Sequence, residues 1–543
     1  MRAIIKGNPA RAARTVIFLA ALLPLQACAS PDRWHDMESL YVERSEPARV
    51  PPIEPEQLPA LESRSSLPLW PEAENDTLRL SLEQAVTISL QANSELLVER
   101  HGPLIAGAFE EIERGTYDPE LFAGLKYAEE RVSETARSTG EQFSVEAEEF
   151  SAELGMRQRL PTGTDLEAGL GFTSSTSNRT PKQREARIGL SVTQSLLRGF
   201  GPAVNLLDIR QARLSGRASL YELRGFAEAL VAEIETAYWR HVLAGEGIRI
   251  YEHSLAIARQ QLDEVEKRIE VGVLPRNAAA AARAEVARRE QALIDNRSNL
   301  EEQRLRLLRL LNITGPTQPG LRIEPTSQPR TEPIPLTDQD ERLALADRLR
   351  PDLNEARLRR DHFNLELVRT RNGLLPKLDL FIDLGKTGYA ESFGSSVNNL
   401  DDDNYELAAG IRFSTYLGRR ESEGRDLLAR ASREQALAAI ENLRSLVELD
   451  VRLALNETER TRRQIEASAI TRQLQAQTLE AEQEKFSIGD STSLLVAQAQ
   501  RDLLLSELAE IEAVIDYRIA LVNLFLAEGS LLERRGIRLP AAD

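Results

Sequence analysis

The chain has 543 residues, of which 28% are charged and only 5% are aromatic, and its formal net charge at pH 7 is −17. This composition, rich in Ala, Leu, Glu and Arg, is typical of long helices or coiled coils rather than of several ordinary globular domains. The negative charge argues against a nucleic-acid partner, because a phosphate-binding surface needs clustered Lys and Arg.

The N-terminus has the organisation of a secretory signal. Four basic residues precede a short apolar run from Thr15 to Leu23, which is too short to span a bilayer as a helix. The run ends in LQAC at residues 25–28 and resembles a bacterial lipoprotein signal. This resemblance implies that residues 1–27 are removed, that Cys28 is acylated and, because no Asp follows Cys28, that the protein is sorted to the outer membrane. The alternative is a plain secretory signal with an incidental cysteine.

The segment after the signal and the start of the folded part are easily separated. Residues 28–77 contain eight prolines and no periodic apolar pattern, which predicts an extended tether. The sequence LSLEQAVTISLQAN then predicts a helix, with Ser81 as its N-cap and Gln84 completing a capping box. A second helix of this kind is predicted in LTDQDERLALADRL, with Thr337 as its cap.

Both helical segments run to a proline, Pro119 or Pro376, after which apolar residues alternate with polar or small ones. This alternation predicts strands with one apolar side. The predicted strands are about 119–133, 147–160, 164–176 and 185–196 in the first half, and about 376–388 and 404–416 in the second.

The linkers between these strands are unequal, which is typical of outer-membrane barrels with short turns at one end and long loops at the other. Residues 161–163 form a short turn. Three linkers are long and polar: 134–146, 177–184 and 389–403. Twelve of the 24 Phe and Tyr residues lie in 117–172 and 381–416, and aromatic rings gather at the membrane interfaces of such barrels.

Two long helical segments follow the strands, at about 204–271 and 420–488. Each would span on the order of 100 Å at about 1.5 Å per residue. Each ends at a glycine, Gly272 or Gly489, after which a second helical pattern returns, and glycine can supply the left-handed conformation that such a turn needs. Pro275 is expected in the first turn of the first returning helix.

The two halves of the chain are therefore predicted to be copies of one unit. Gly272 lies 71 residues after Gly201, and Gly489 lies 71 residues after Gly418. Matched spacing of this kind marks an internal duplication. The predicted repeats are residues 78–315 and 336–530, with a linker at 316–335 and a C-terminal tail at 531–543.

This order of motifs resembles the TolC-type outer-membrane efflux channel family over about residues 78–530. The motifs are LSLEQAVTISLQAN, LRPDLNEARLRRD, LLPKLDL, QSLLRGFG, YLGRRESEGRDLLARA and the segments around the two tip glycines. The resemblance implies an α+β membrane fold, in which a homotrimer forms one transmembrane β-barrel continued by a long periplasmic α-helical barrel. It also implies a channel, without a cofactor, that passively conducts substrates from an inner-membrane transporter in an efflux or type I secretion system.

The family resemblance also implies the position of the partner site. A periplasmic adaptor protein is expected to dock at the two tips. The residues assigned to these docking tips are Val271, Gly272, Ile488, Gly489 and Asp490.

One departure from the family concerns the gate. Several family channels carry carboxylates at the sixth and ninth positions after the second tip glycine, whereas this chain has Leu495 and Gln498 there. The matching residues of the first copy are Ala278 and Ala281. An aspartate gate is therefore not expected. A ring of Leu495 side chains could constrict the pore by dewetting, or Leu495 could simply pack between helices.

Nothing in the sequence predicts an enzyme, because the five histidines lack metal-ligand spacing and no phosphate-binding loop or nucleophile elbow is present. Two other classes of protein are alternatives. A periplasmic adaptor also has a long helical hairpin and often a lipoprotein signal, but it has only one hairpin. A coiled-coil scaffold leaves the amphipathic strands unexplained. The strand count further predicts a barrel of about 18 strands, against 12 in the best-known family members.

Overall fold

The computed structural model describes residues 77–135, 137–138, 140–312, 320–329, 338–401 and 403–537. The predicted signal, Cys28, nearly all of the tether and the predicted cap Thr337 lie outside these residues. Of the helices described, none combines the length and the apolar character that crossing a membrane requires.

Helices form most of the chain. Those of the first half are α1 (Leu82–Ala92), α2 (Ser94–Glu99), α3 (His101–Gly115), α4 (Pro202–Asn205), α5 (Leu207–Glu270) and α6 (Ala278–Leu310). Those of the second half are α7 (Gln339–Leu349), α8 (Pro351–Gly373), α9 (Phe393–Asn398), α10 (Arg420–Ile488), α11 (Ser493–Ala527) and α12 (Leu531–Arg534). The long helices α5 and α10 have 64 and 69 residues, so each is on the order of 100 Å long, as predicted.

The predicted helix ends are partly confirmed. The capping box at the start of α1 is present, since the Ser81 hydroxyl accepts a hydrogen bond from the Gln84 amide at 3.2 Å and the Gln84 side chain accepts one from the Ser81 amide at 2.9 Å. Pro275 is not in the first turn of α6, which begins only at Ala278. The prediction was wrong because residues 273–277 are used to reverse the chain.

The strands are β1 (Thr77–Leu80), β2 (Glu120–Thr135), β3 (Gln142–Leu160), β4 (Thr164–Ser177), β5 (Gln183–Ser195), β6 (Arg322–Pro325), β7 (Lys377–Ala390) and β8 (Tyr405–Ser414). Six of them form one antiparallel sheet in the order β2-β3-β4-β5-β7-β8, which confirms all six predicted strands. The loops predicted at 134–146 and 177–184 are shorter than expected. Strands β2 and β3 continue into polar sequence, where cross-strand ion pairs such as Arg131 with Glu146 support the ladder.

Strands β1 and β6 form a separate parallel pair that the sequence did not predict, because four residues are too few to show a period. The pair joins the beginning of the first repeat to the predicted inter-repeat linker, in which β6 lies. Tyr238 of α5 fixes it, since its hydroxyl donates to the Leu80 carbonyl at 3.0 Å and accepts from the Ser327 amide at 3.1 Å.

The main hydrophobic core surrounds the middle of α5, where Leu230, Ile234 and Tyr238 are buried. Helix α1, the ends of α6 and α11, and α12 close around this segment; Leu531 of α12, which lies in the predicted tail, is fully buried. The returning helices α6 and α11 have only 33 and 35 residues. They therefore cover the long helices between the core and the tips, while α3 and α8 pack on the part near the sheet.

Ion pairs are buried in and beside this core. Arg342 binds Glu528, and both side chains are almost completely buried. Arg224 contacts Glu228 at 3.4 Å and also binds Glu533. Burial raises the pKa of Glu228 to about 8, although the positive charge of Arg224 acts in the opposite sense. Two carboxylates thus share one guanidinium, and the more buried of them retains a proton at neutral pH.

Candidate functional site

The two predicted tip glycines end the two long helices in the same way. Gly272 and Gly489 have φ values of +82° and +84°. In each turn the glycine amide donates to the carbonyl three residues earlier, and the next amide donates to the carbonyl five residues earlier, at distances of 2.8–3.2 Å. This pattern is the Schellman motif, which requires a left-handed residue at the glycine position. The duplication therefore extends to individual backbone hydrogen bonds.

The predicted docking residues lie on the surface of these turns. Val271 is 74% exposed and Ile488 is 80% exposed, and Asp490 is exposed as well. Val273, next to the first tip glycine, adds a further exposed apolar side chain. Apolar side chains that are exposed at the ends of two hairpins, outside the hydrophobic core, form the kind of surface that binds another protein.

The second tip is fixed by polar side chains that the sequence did not single out. The Thr492 hydroxyl caps α11 by accepting a hydrogen bond from the Leu495 amide at 3.4 Å. The Glu482 carboxylate accepts hydrogen bonds from Lys485 at 2.7 Å and from the Ser491 hydroxyl at 2.8 Å. The bond from Lys485 contributes most to lowering the pKa of Glu482, so this carboxylate stays ionised and holds the loop to the end of α10.

The two hairpins are joined just before their tips. Val265 of the first hairpin packs with Phe486 and Val496 of the second in a small buried cluster. Arg268 completes the contact: its guanidinium lies 4.6 Å from the centre of the Phe486 ring and donates to the Phe486 carbonyl at 3.3 Å. A positive charge beside the last carbonyls of α10 is also favoured by the helix dipole.

Sequence reasoning missed Arg268. A basic residue in the last turn of a helix predicts interaction with the carbonyls of its own helix end. Here the guanidinium instead reaches the end of the other hairpin, while its second arm binds Glu264 one turn earlier at 2.7 Å. The sequence shows a basic residue in the last turn of α5, but its contact with Phe486 depends on tertiary packing.

The candidate gate residues Leu495 and Gln498 both have exposed side chains on α11, and Leu495 is 46% exposed. The residue that packs between the two hairpins of one chain is the neighbouring Val496, which is fully buried. Ala281 on α6 is half-buried. Leu495 is therefore available to a surface beyond this chain.

The sheet has one apolar and one polar face. Its register places the predicted apolar positions of neighbouring strands opposite one another, for example Leu190 beside Leu384 and Leu384 beside Leu407. The other face carries cross-strand ion pairs. Examples are Arg157 with Glu120 at 2.7 Å, Arg187 with Glu406 at 2.6 Å and Lys126 with Glu149 at 3.6 Å. A sheet with these two faces fits a wall between lipid and water.

Comparisons with known proteins agree with this architecture. A family model described as "Outer membrane efflux protein" matches residues 141–313 and 343–530. Outer membrane protein OprJ of Pseudomonas aeruginosa is 27% identical over 406 residues, which is 72% of this chain and 78% of that protein. Among solved structures, the outer-membrane channel OprN has a TM-score of 0.63 at 18% identity, with 83% of this chain and 90% of that chain covered. The CmeC channel of Campylobacter jejuni has a TM-score of 0.59 at 16% identity, with 83% and 86% covered.

Proposed function

The chain belongs to the outer membrane efflux protein family, and on this basis we propose that it is the outer-membrane channel subunit of a tripartite export system. One observation carries the proposal. Two hairpins of periplasmic length and a six-stranded sheet with an apolar face occur in the same chain. A periplasmic adaptor has only one such hairpin, and a coiled-coil scaffold does not account for the amphipathic sheet, so both alternatives are disfavoured.

We propose that the working unit is a homotrimer. Among the described residues nothing pairs with the two outer edges of the sheet, and unpaired backbone groups are very costly in lipid. Pooling the strands of several copies removes these edges. The long helices would then form a tunnel across the periplasm, through which substrates expelled by an inner-membrane transporter pass without further energy input.

We propose that a periplasmic adaptor binds the two tips. The exposed side chains of Val271, Ile488 and Asp490 are suited to this contact. The two matching turns give each chain two similar binding sites for the adaptor. At rest, the Arg268 contact keeps the hairpins together, and Leu495 and Gln498 line the constriction where the chains meet. Binding of the adaptor separates the hairpins and opens the entrance.

We further propose that acylated Cys28 anchors the mature chain in the outer membrane. No catalytic role is proposed, since members of this family are channels. Within the described ranges, no group of three or more His, Cys, Asp or Glu side chains could hold a metal ion.

The proposal is tested by purifying the protein in detergent from outer-membrane fractions and measuring conductance in planar lipid bilayers. We expect pores whose opening increases when the tip contacts are weakened. Deletion of the gene should also cause the substrate of the inner-membrane transporter that this channel serves to accumulate in cells. A protein that extracts without detergent and forms no pores would make the channel assignment untenable.

A further inference from the structure

The free edges of the sheet are the starting point. Strands β2 and β8 end the strand order, and within the described residues nothing pairs with their outer edges. They are also the most exposed strands of the sheet, with large apolar side chains on one face of each. Two uncovered apolar edge strands are incompatible with a lone copy in a membrane.

Each of the six strands carries one band of four apolar positions on this face. The bands are Leu121–Tyr127, Phe150–Met156, Leu166–Phe172, Ala186–Val192, Leu378–Leu384 and Leu407–Phe413. The first repeat has two more strands in this sheet than the second, and these additional strands, β2 and β3, carry the same band as the others. They therefore belong to the same membrane layer and do not form a separate extramembrane hairpin.

The register shows how the bands are stacked. Between β3 and β4 the band shifts by two residues, because Phe172 pairs with Ala152 rather than with Phe150. Between β5 and β7 it shifts by four residues, because Leu384 pairs with Leu190 rather than with Ala186. The remaining three steps show no shift.

These shifts give the inclination of the strands. A total of six residues, at about 3.3 Å each, is roughly 20 Å along the strands, and five steps of about 4.8 Å are roughly 24 Å across them. The strands therefore cross the apolar layer at about 40° to its normal, which lies within the range of about 35–45° found in outer-membrane barrels. Tyr127, Phe150, Phe172 and Tyr405 lie at the border of the layer farthest from the long helices α5 and α10, as an interfacial girdle does. At this border the ring of Phe172 also contacts Phe393 of the short helix α9, with ring centres 4.7 Å apart.

We propose, on the basis of the channel function above, that β8 of one copy pairs antiparallel with β2 of a second copy, so that three copies close a barrel of 18 strands. Direction allows this pairing. Six strands alternate in an antiparallel sheet, so β2 and β8 run in opposite directions. The apolar bands Leu407–Phe413 and Leu121–Tyr127 then meet at the same level across the seam.

The strand number determines the width of the exit. At about 40° of tilt each strand occupies about 6.3 Å of the circumference, so 18 strands give a backbone diameter of about 36 Å and 12 strands give about 24 Å. The extra width comes entirely from β2 and β3. This barrel accepts bulkier cargo than one built from four strands per chain, and its polar lining carries the cross-strand ion pairs described above.

Cysteine cross-linking in intact outer membranes tests the seam. Ala409→Cys in β8 is combined with Leu125→Cys or Tyr127→Cys in β2, which covers seam registers that differ by two residues. In one copy, β2 and β8 are separated by five strand steps, about 24 Å, so a disulfide between them can form only between copies. We expect at least one of these pairs to give covalent dimers and trimers on oxidation.

The matched control combines Ala409→Cys with Leu170→Cys in β4, the strand that would meet β8 if β2 and β3 were left out of a 12-stranded barrel. The single variants report any contribution of Cys28. No ladder is expected from the control pair. Two results in cells that still export would overturn the 18-stranded barrel and leave the channel function standing. One is cross-linked oligomers from the control pair, and the other is the absence of cross-linked oligomers from every pair. Loss of pore formation by the unmodified protein would instead reject the function itself.

Discussion

Arg268 offers the most direct way to separate the two hairpins. In Arg268→Met an unbranched side chain as long as the aliphatic part of arginine is kept, but the guanidinium is lost. The hydrogen bond to the Phe486 carbonyl at 3.3 Å and the stack on the Phe486 ring at 4.6 Å disappear together. The charge beside the C-terminus of α10 disappears with them. We therefore expect the tips to separate more often in this variant.

The magnitude follows from these contacts. A hydrogen bond from a charged donor contributes about 1.5–3 kcal/mol, a cation–π contact about 0.5–2 kcal/mol and a charge at a helix end about 0.3–1 kcal/mol. The three effects overlap, and the Arg268 side chain is 27% exposed, so the change is about 2 kcal/mol per chain. This corresponds to roughly a 30-fold shift towards separated hairpins. Three chains opening together would multiply the effect.

The assay is the open probability of purified channels in planar bilayers without adaptor. We expect it to rise at least tenfold in Arg268→Met, with a smaller rise in Arg268→Lys, which keeps the charge but loses the planar fork. The control is Arg283→Met, because Arg283 binds Glu266 at 2.7 Å within the first hairpin. Equal open probability in Arg268→Met, Arg283→Met and the unmodified protein would refute a role of this contact in closing the tips.

Three further outcomes are expected. Gly489→Val should abolish export while trimers still insert, because a β-branched residue is disfavoured at positive φ by about 1–2 kcal/mol. Gly489→Asn, and Gly424→Val at an exposed position of α10, should retain export. Wild-type export by Gly489→Val would contradict the docking role. Tyr238→Phe should lower the unfolding free energy by about 1–3 kcal/mol, since the Ser327 amide loses its acceptor and the Leu80 carbonyl keeps only the bond from the Thr326 amide, and denaturant titration measures this. Glu228 holds in the folded state a proton that the unfolded chain releases, so stability should fall as pH rises from about 5 to about 8. Glu228→Gln should flatten this dependence of the melting temperature, and an unchanged slope would assign the proton elsewhere.

The regular part of the fold could be predicted from the sequence because its periods are long. The alternation in LDLFIDLG extends over a whole strand, and the helical pattern before Gly489 extends over 69 residues. The tip glycines could be predicted because only glycine combines a helix end with positive φ at low cost. These features depend on residues close to one another in the chain.

The remaining features depend on residues far apart in the chain. The Arg268–Phe486 contact joins positions 218 residues apart, and β1 pairs with β6 across a separation of 245 residues. Strand length was underestimated for β2 and β3, because ion pairs between polar strands leave no apolar period. The contact of Arg224 with both Glu228 and Glu533 also has no sequence signature, because Glu533 is far from the other two residues along the chain.

The position of the hydrophobic core makes each long helix a lever. Val242 is the last buried residue of α5 in the main core, and Glu270 ends the helix 28 residues later, so the arm beyond the core is about 42 Å long. A rotation of only about 10° at the core then moves the tip by about 7 Å, which is more than the diameter of a water molecule for each chain. In the gating proposed above, a small change of packing at the core is therefore enough to move the tips by this distance.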